Sequence, residues 1–381
     1  MIYVYSESMD CAFHFAAEEY VMETLRPAAP ALMLWRTDRT VMLGANQVAE
    51  LEADLAYARA NGVAVVRRSS GGGAIYTDPG VLLYTIILPF TERTDAKAVV
   101  ADYLAVPAIK ALGRMGVSAS LEGRNDILVS GKKICGIAQY IRHGYLCSHG
   151  SLLFDADLAE LARVLTVSGE KIVSKALRSV RSRVTNIAEY LPRAADGGKL
   201  GESAADGGGI GESARGVAAS DKVSANRGAG HDRPDIRAFM EILHESWDEE
   251  FGLTGYDFTS NDLVAIEKLR EEKYASDAWT FGRAPRYSYR DAKRFPGGGV
   301  EVFADVKGGV VESVKITGDF LALRPVADLE EKLAGTPFRA EALAAAVTGE
   351  DVADALGSIT KDELLSVFPY DRILERGMGF P

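Results

Sequence analysis

The chain of 381 residues has little cysteine, little histidine and a deficit of positive charge. Its three cysteines, Cys11, Cys135 and Cys147, cannot all pair with one another and lack metal-ligand spacing. That pattern excludes a disulfide-stapled secreted scaffold and points to a reducing, cytoplasmic compartment. Lys and Arg number 43 against 54 Asp and Glu, a formal net charge of −11. No overall positive field is therefore available to displace counterions from nucleic acid. No apolar run approaches the roughly 18 residues that a spanning helix requires. The start, Met1-Ile2-Tyr3-Val4-Tyr5, has no basic stretch followed by an apolar one, so it does not read as a secretion signal. Neither nucleic acid nor a membrane is expected as a partner.

What is present is an ordinary globular balance, 47% hydrophobic and 25% charged, long enough for one large and one smaller domain. Ala12, Phe15, Ala16, Glu19, Met22 and Leu25 recur at helical spacing, which predicts a helix over 10–25 packed on a sheet. Apolar runs at 32–35, 41–43, 63–66, 81–88 and 127–129 read as strands, and 96–115 as a helix interrupted near Pro107. Over 193–233 the composition shifts to ten glycines in 41 residues without an aromatic side chain, which reads as a flexible insertion. Helical periodicity returns at 236–251 and again at 261–273, ahead of an aromatic connector, Trp279-Thr280-Phe281-Gly282. Runs at 300–306 and 310–316 flank Lys307-Gly308-Gly309 as hairpin strands do, and 329–333, 339–347 and 361–368 read as short helices. The fold class expected is α+β: a large mixed-sheet domain over 1–258, then a connector and a smaller α+β accessory domain over 259–381.

Chemistry concentrates in the first domain. Arg67-Arg68-Ser69-Ser70-Gly71-Gly72-Gly73-Ala74 follows a strand directly. Consecutive glycines let backbone N–H groups approach an anion, and flanking guanidinium groups suit phosphate or carboxylate. A glycine turn with solvated arginines has the same composition. Gly123-Arg124-Asn125-Asp126 precedes a strand, and Lys132-Lys133-Ile134-Cys135-Gly136-Ile137-Ala138-Gln139 follows the turn at Gly131. A short hairpin returns Lys133 towards Asp126, where an ammonium can offset charge on carbonyl and phosphoryl oxygens. His149-Gly150-Ser151 opens a further apolar run, and Lys175, Arg178, Arg181 and Arg183 surround Ser179-Val180-Arg181-Ser182-Arg183-Val184. The histidine is suited either to orienting a substrate or to satisfying a core hydrogen bond.

These strings, in this order, resemble the lipoate-protein ligase A family of the biotin/lipoate ligase superfamily. The similarity also takes in Phe15-Ala16-Ala17-Glu18-Glu19, Val41-Met42-Leu43-Gly44 and the accessory-domain strings Lys273-Tyr274, Arg294-Phe295 and Gly318-Asp319-Phe320. The resemblance implies two steps. ATP and lipoate form lipoyl-adenylate with release of pyrophosphate, and a lysine of a carrier domain then attacks the activated carbonyl. It implies catalytic roles for Lys133 and Asp126, with Asp126 also placing Mg²⁺. Arg68, Ser70, Gly71, Gly72, Gly73 and Ala74 would line the lipoyl carboxylate and phosphate side, with Asn125, Gly136, Ala138, His149 and Gly150 around them. Lys175, Ser179, Val180, Arg181, Arg183 and Val184 would form the adenylate loop. The implied partners are lipoyl domains of 2-oxoacid dehydrogenase complexes or a glycine-cleavage carrier protein, admitted after rotation of the accessory domain. Two other readings stand beside this one: an ATP-independent octanoyl or lipoyl transferase using Cys135 or Cys147 as acyl nucleophile, and a catalytically degenerate domain that only binds lipoyl compounds or carriers.

Overall fold

The structure, a computed structural model, describes residues 1–123, 125–165, 180, 182–192, 234–282, 289–307 and 309–368. The segment 193–233, expected to be a flexible insertion, lies outside the described residues.

The centre of the molecule is strand β6, Val81–Pro89, whose run Val-Leu-Leu-Tyr-Thr-Ile-Ile-Leu is buried along its whole length. A strand apolar on both faces belongs in the middle of a covered sheet. Its neighbours are β2, Ala31–Trp35, and β10, Tyr145–Leu153, both antiparallel to it. Outward from β10 lie β9, Lys132–Arg142, β8, Asp126–Val129, and β7, Ser120–Glu122; outward from β2 lie β1, Ile2–Val4, and β11, Thr254–Tyr256, completing an eight-stranded sheet. Strand alternation divides the core in two. Leu32, Leu34, Leu82, Tyr84 and Ile86 pack on one face against Phe239, Leu243 and Trp247 of the helix Ile236–Phe251. Met33, Trp35, Leu83 and Ile87 pack on the other against Phe15, Ala16 and Met22.

Those last residues belong to α1, Cys11–Tyr20, and to the π-type turn Val21–Leu25 that continues it. The Asp10 carboxylate starts α1 by accepting the Ala12 N–H at 2.8 Å. The helix expected over 96–115 forms in three pieces, with a π-type stretch, Val100–Ala105, before the segment Val106–Arg114. Pro107 sits in the first turn of that segment, where its missing N–H costs nothing, so the irregular stretch precedes the proline.

A second sheet has the order β4-β3-β5, made of β3, Thr40–Leu43, β4, Ala64–Arg67, and β5, Ile75–Thr77. The glycine-rich string joins β4 to β5 across the end of this sheet. The third sheet, β12, Tyr289–Phe295, β13, Gly298–Lys307, and β14, Val310–Gly318, packs with the helices of 327–367 around its own core. Between the two units, Ile266 and Tyr274 pack with α1, so the connector belongs to the first core. The accessory unit meets the first one through backbone. Gly72 N–H donates to Phe320 O at 2.9 Å, Gly318 N–H to Asn46 O at 3.0 Å and Ile141 N–H to Leu323 O at 2.8 Å.

Candidate active site

On the α1 face of the large sheet lies a cavity of about 670 Å³. One wall is the glycine loop, and close backbone approach explains its composition. A Cβ on Gly44 would stand 2.1 Å from Gly72 O, and Gly72 itself has φ +91°. The loop is held from inside. Arg68, 5% exposed, donates from Nε to Ser70 Oγ at 3.0 Å and from its terminal nitrogens to Met42 O, Gly71 O and Gly73 O at 2.8–3.1 Å. Burial lowers this guanidinium to about 10, which leaves it charged at neutral pH.

Arg67 corrects the expectation that both guanidinium groups serve an anion. It is fully buried and donates to Gly44 O and Gln47 O at 2.7 Å and to Thr280 O at 2.6 Å, while Trp279 Nε1 donates back to Arg67 O at 2.9 Å. It fastens the connector to β4.

The opposite wall is the β8–β9 hairpin. Ser130 and Gly131 both have positive φ, +50° and +74°, which suits a tight two-residue turn. The register shift between Ile127 and Leu128 then sets Asp126 opposite Gly136. Lys133 Nζ reaches Asp126 Oδ1 at 2.8 Å, both side chains being about one-third exposed. A Cβ on Gly136 would fall 2.7 Å from that nitrogen, so glycine there makes room for the lysine. The Asn125 side-chain amide donates to Ile137 O at 2.9 Å and braces the same strand. Thr185 N–H donates to Lys133 O at 3.1 Å, which brings the segment 182–185 beside the lysine.

At the inner end, His149 Nε2 lies 2.6 Å from Ser70 Oγ and Nδ1 lies 3.2 Å from Glu18 Oε1. The cavity wall thus brings together Arg68, Gly72, Gly73, Ala74, Asn125, Asp126, Lys133, Gly136, Ala138, His149, Gly150, Val180, Arg183 and Val184. Ser70 and Gly71 do not line it: Ser70 is fully buried behind the wall, and Gly71 backs onto Phe320 O. Lys175, Ser179 and Arg181 lie outside the described residues.

Sequence reasoning missed the apolar lining, chiefly Phe15, Trp35, Met42, Leu83, Leu153 and Leu321. Period-two alternation in β2 and β6, set against the helical spacing of Phe15, marks one shared face, though not that a cavity opens there. Leu321 carried no local signal. Glu18 was likewise passed over as a helix residue.

Cys135 also lines the cavity, but burial pushes its thiol up to about 12, and Cys147, fully buried, is pushed well above the ordinary thiol range for the same reason. Thiolate is the nucleophilic form, so neither residue is poised for acyl transfer. That burial weighs against the cysteine transferase reading. Among the described residues, no helix is long and apolar enough to cross a membrane.

Comparison with known proteins matches residues 10–205 to the lipoyl protein ligase A/B catalytic domain and 284–368 to the bacterial lipoate protein ligase C-terminus. Lipoate-protein ligase LplJ of Bacillus subtilis is 30% identical over 368 residues, spanning 96% of this chain and 99% of that one. The crystal structure of P. falciparum LipL1 in complex with lipoate superimposes with a TM-score of 0.68 at 18% identity, covering 91% of this chain and 93% of that one. A bipartite lipoate protein ligase of Thermoplasma acidophilum, described with its E2 lipoyl domain, gives 0.58 at 23% identity over 76% of this chain and 98% of that one.

Proposed function

We propose, for a chain that belongs to the lipoyl protein ligase A/B family and is a lipoate–protein ligase, that this cavity is where lipoate is activated by ATP and handed to a carrier lysine. The observation that carries the reading is the meeting of Lys133 and the glycine loop on the walls of one cavity whose remaining lining is largely apolar. An acid with a long hydrocarbon tail needs that pairing of an apolar arm and a cationic end.

A free carboxylate is a poor electrophile, so the acid is activated first. A lipoate oxygen attacks the α-phosphorus of ATP, the bond to the β-phosphate oxygen breaks, and pyrophosphate leaves. Lys133, released from Asp126, stabilises charge on the carboxyl and α-phosphoryl oxygens. Arg183 and the neighbouring Val180 and Val184 border the nucleotide side, as Arg68 and the Gly72–Gly73 turn border the acyl side. In the second step Asp126 takes up the ammonium proton of the incoming carrier lysine, and the neutral amine attacks the acyl carbon. AMP departs with the bonding electrons, the attacking nitrogen gives its second proton to the departing phosphate or to water, and an amide remains.

Mg²⁺ is bound in such sites by one or two carboxylates together with substrate phosphates. Asp126 fits that requirement, since its Oδ1 is buried and among the described residues meets only the Lys133 ammonium, at 2.8 Å. The ion would offset triphosphate charge. The carriers are lipoyl domains of 2-oxoacid dehydrogenase complexes or a glycine-cleavage carrier protein, and the free, buried thiols suit the cytoplasm.

The test is pyrophosphate release from the full chain with ATP, Mg²⁺ and either lipoate or octanoate, followed by addition of a purified lipoyl domain. Lys133→Ala should slow the first step on the order of 10²–10³-fold while the protein stays folded. A wild-type chain that releases no pyrophosphate with either acid ends the reading, and normal release by Lys133→Ala removes that residue from it.

A further inference from the structure

Glu18 is only 1% exposed and lies on α1, three residues after the cavity-lining Phe15, without lining the cavity itself. It nevertheless ends a chain of hydrogen bonds that reaches the glycine loop. Trp35 Nε1 donates to Thr85 Oγ1 at 3.0 Å, and Thr85 donates to Glu18 Oε1 at 2.6 Å. His149 Nδ1 stands 3.2 Å from the same carboxylate oxygen, and its Nε2 stands 2.6 Å from Ser70 Oγ. Arg68 Nε donates to Ser70 Oγ at 3.0 Å and the same guanidinium holds Gly71 O and Gly73 O.

The directions at the two ends of the chain follow from the groups there. A carboxylate only accepts, so His149 donates from Nδ1 to Glu18. A guanidinium only donates, so Ser70 Oγ accepts from Arg68 Nε, and the same hydroxyl is hydrogen-bonded to His149 Nε2. Glu18 and Arg68, both buried, are thus joined through the imidazole and the hydroxyl. Serine, imidazole and carboxylate in this order have the geometry of a nucleophilic triad. Ser70, however, has no exposed surface and does not line the cavity, so the arrangement holds the loop instead of attacking a substrate. Glu18, Cys147 and His149 also place ligand atoms within 4.8 Å of one another, and both imidazole nitrogens are engaged in the hydrogen bonds described above.

We propose that Glu18 is a positioning residue for the acid substrate: through His149, Ser70 and Arg68 it fixes the glycine-loop wall and the cavity-facing imidazole. The inference rests on the ligase reading, in which that wall receives the lipoyl carboxylate. Losing the carboxylate charge leaves the Arg68 cation buried without its counter-charge and slackens the Ser70 end. The acyl side of the cavity then deforms, while the segment 182–185 beside Lys133 keeps its own backbone anchor at Thr185.

The test uses the full chain with Glu18→Gln, Ser70→Ala and the double variant, and measures lipoate and ATP binding separately by calorimetry. Each single change should weaken lipoate binding about 10- to 100-fold, the usual effect of removing an orienting partner, and leave ATP binding unchanged. If the four groups act as one unit, the double variant binds lipoate no more weakly than the worse single variant. Losses that multiply in the double variant, or ATP affinity falling in step with lipoate affinity, overturn the proposal, because either result means independent contacts or general loosening. So does unchanged lipoate affinity in Glu18→Gln. Should that variant not accumulate folded, Thr85→Val removes the hydroxyl that holds the carboxylate, and the same split between the two ligands decides. Failure of the ligase reading itself is separate: wild-type protein would release no pyrophosphate before any variant is compared.

Discussion

Gly136 shows how narrow the tolerance around Lys133 is. An added Cβ would lie 2.7 Å from Nζ and 2.8 Å from Cε, the far end of a flexible side chain, so the lysine and not the backbone gives way. Gly136→Ala should therefore leave the melting temperature nearly unchanged and, on the proposed role of Lys133, slow adenylation on the order of 10²-fold, the cost of moving such a group by about 1 Å. Parallel losses of melting temperature and rate would refute this account. The pairing of Lys133 with Asp126 was legible in the sequence because a glycine turn between two strand runs folds one back on the other. The reason for Gly136 was not, since it depends on where the lysine side chain lies across the strand. His14 offers a second test. It is fully buried, stacks on Trp35 with ring centroids 4.5 Å apart, and has no partner at Nδ1. Burial pushes its imidazole down from the ordinary 6.5 to about 4. The folded state thus refuses a proton that the unfolded chain accepts below about 6.5, so this stability is fully present above that pH and is lost as pH falls through about 4. Between those values the wild type should lose about 3 kcal/mol more than His14→Phe in urea unfolding, and equal slopes for the two proteins would rule the assignment out.

At the scale of the strand, Arg67 and Arg68 look equivalent in the sequence and are not. Neighbours on a strand face opposite ways, so only one of the two guanidinium groups can approach the cavity. That much was available from the residues alone. Which one turns inward was not, because the choice is made by carbonyl groups more than 200 residues away, at Trp279 and Thr280. Through one side chain, Arg67 holds β4, the turn after β3 and the connector together. Arg67→Met takes the guanidinium donor from the Gln47 and Thr280 carbonyls and leaves Gly44 O with the Gln47 N–H alone, and about 3 kcal/mol of stability should go with it. Arg67→Lys should rescue little, because a point ammonium cannot span the fan of acceptors that the planar guanidinium reaches. Urea unfolding measures both, and full rescue by lysine would mean that charge, not geometry, holds the connector. The strand runs of β2, β3, β6 and β8 were readable from apolar patterning. β1, β7 and β11, three residues each, were not, since so short a run has no period.

Across the whole molecule, the order of the large sheet depends on pairings that local pattern cannot announce, such as β1 beside β11, where Ile2 lies opposite Thr254. The same is true of the contact that closes the cavity. The accessory unit reads from sequence as a separate small domain without chemistry of its own, yet Leu321 lines the cavity and Phe320 O accepts the Gly72 N–H at 2.9 Å. That N–H belongs to the loop proposed to receive an anion, so the docked accessory unit and an anionic oxygen at that position compete for one donor. How firmly the unit is docked is then a measurable property of the ligand-free enzyme. Leu321→Asn puts an amide where a half-buried apolar side chain packs, and the lost burial, about 1 kcal/mol for a side chain only partly removed from water, corresponds to roughly 5-fold faster opening. Amide hydrogen exchange should quicken by that factor at Gly72, Gly318 and Ile141, backbone donors whose bonds cross between the units, and stay as it was along β6 and β10. Faster exchange in all of them together would show that the variant loosens the fold as a whole. Unchanged exchange at Gly72 would show that the backbone bonds alone hold the accessory unit down and that Leu321 only fills space.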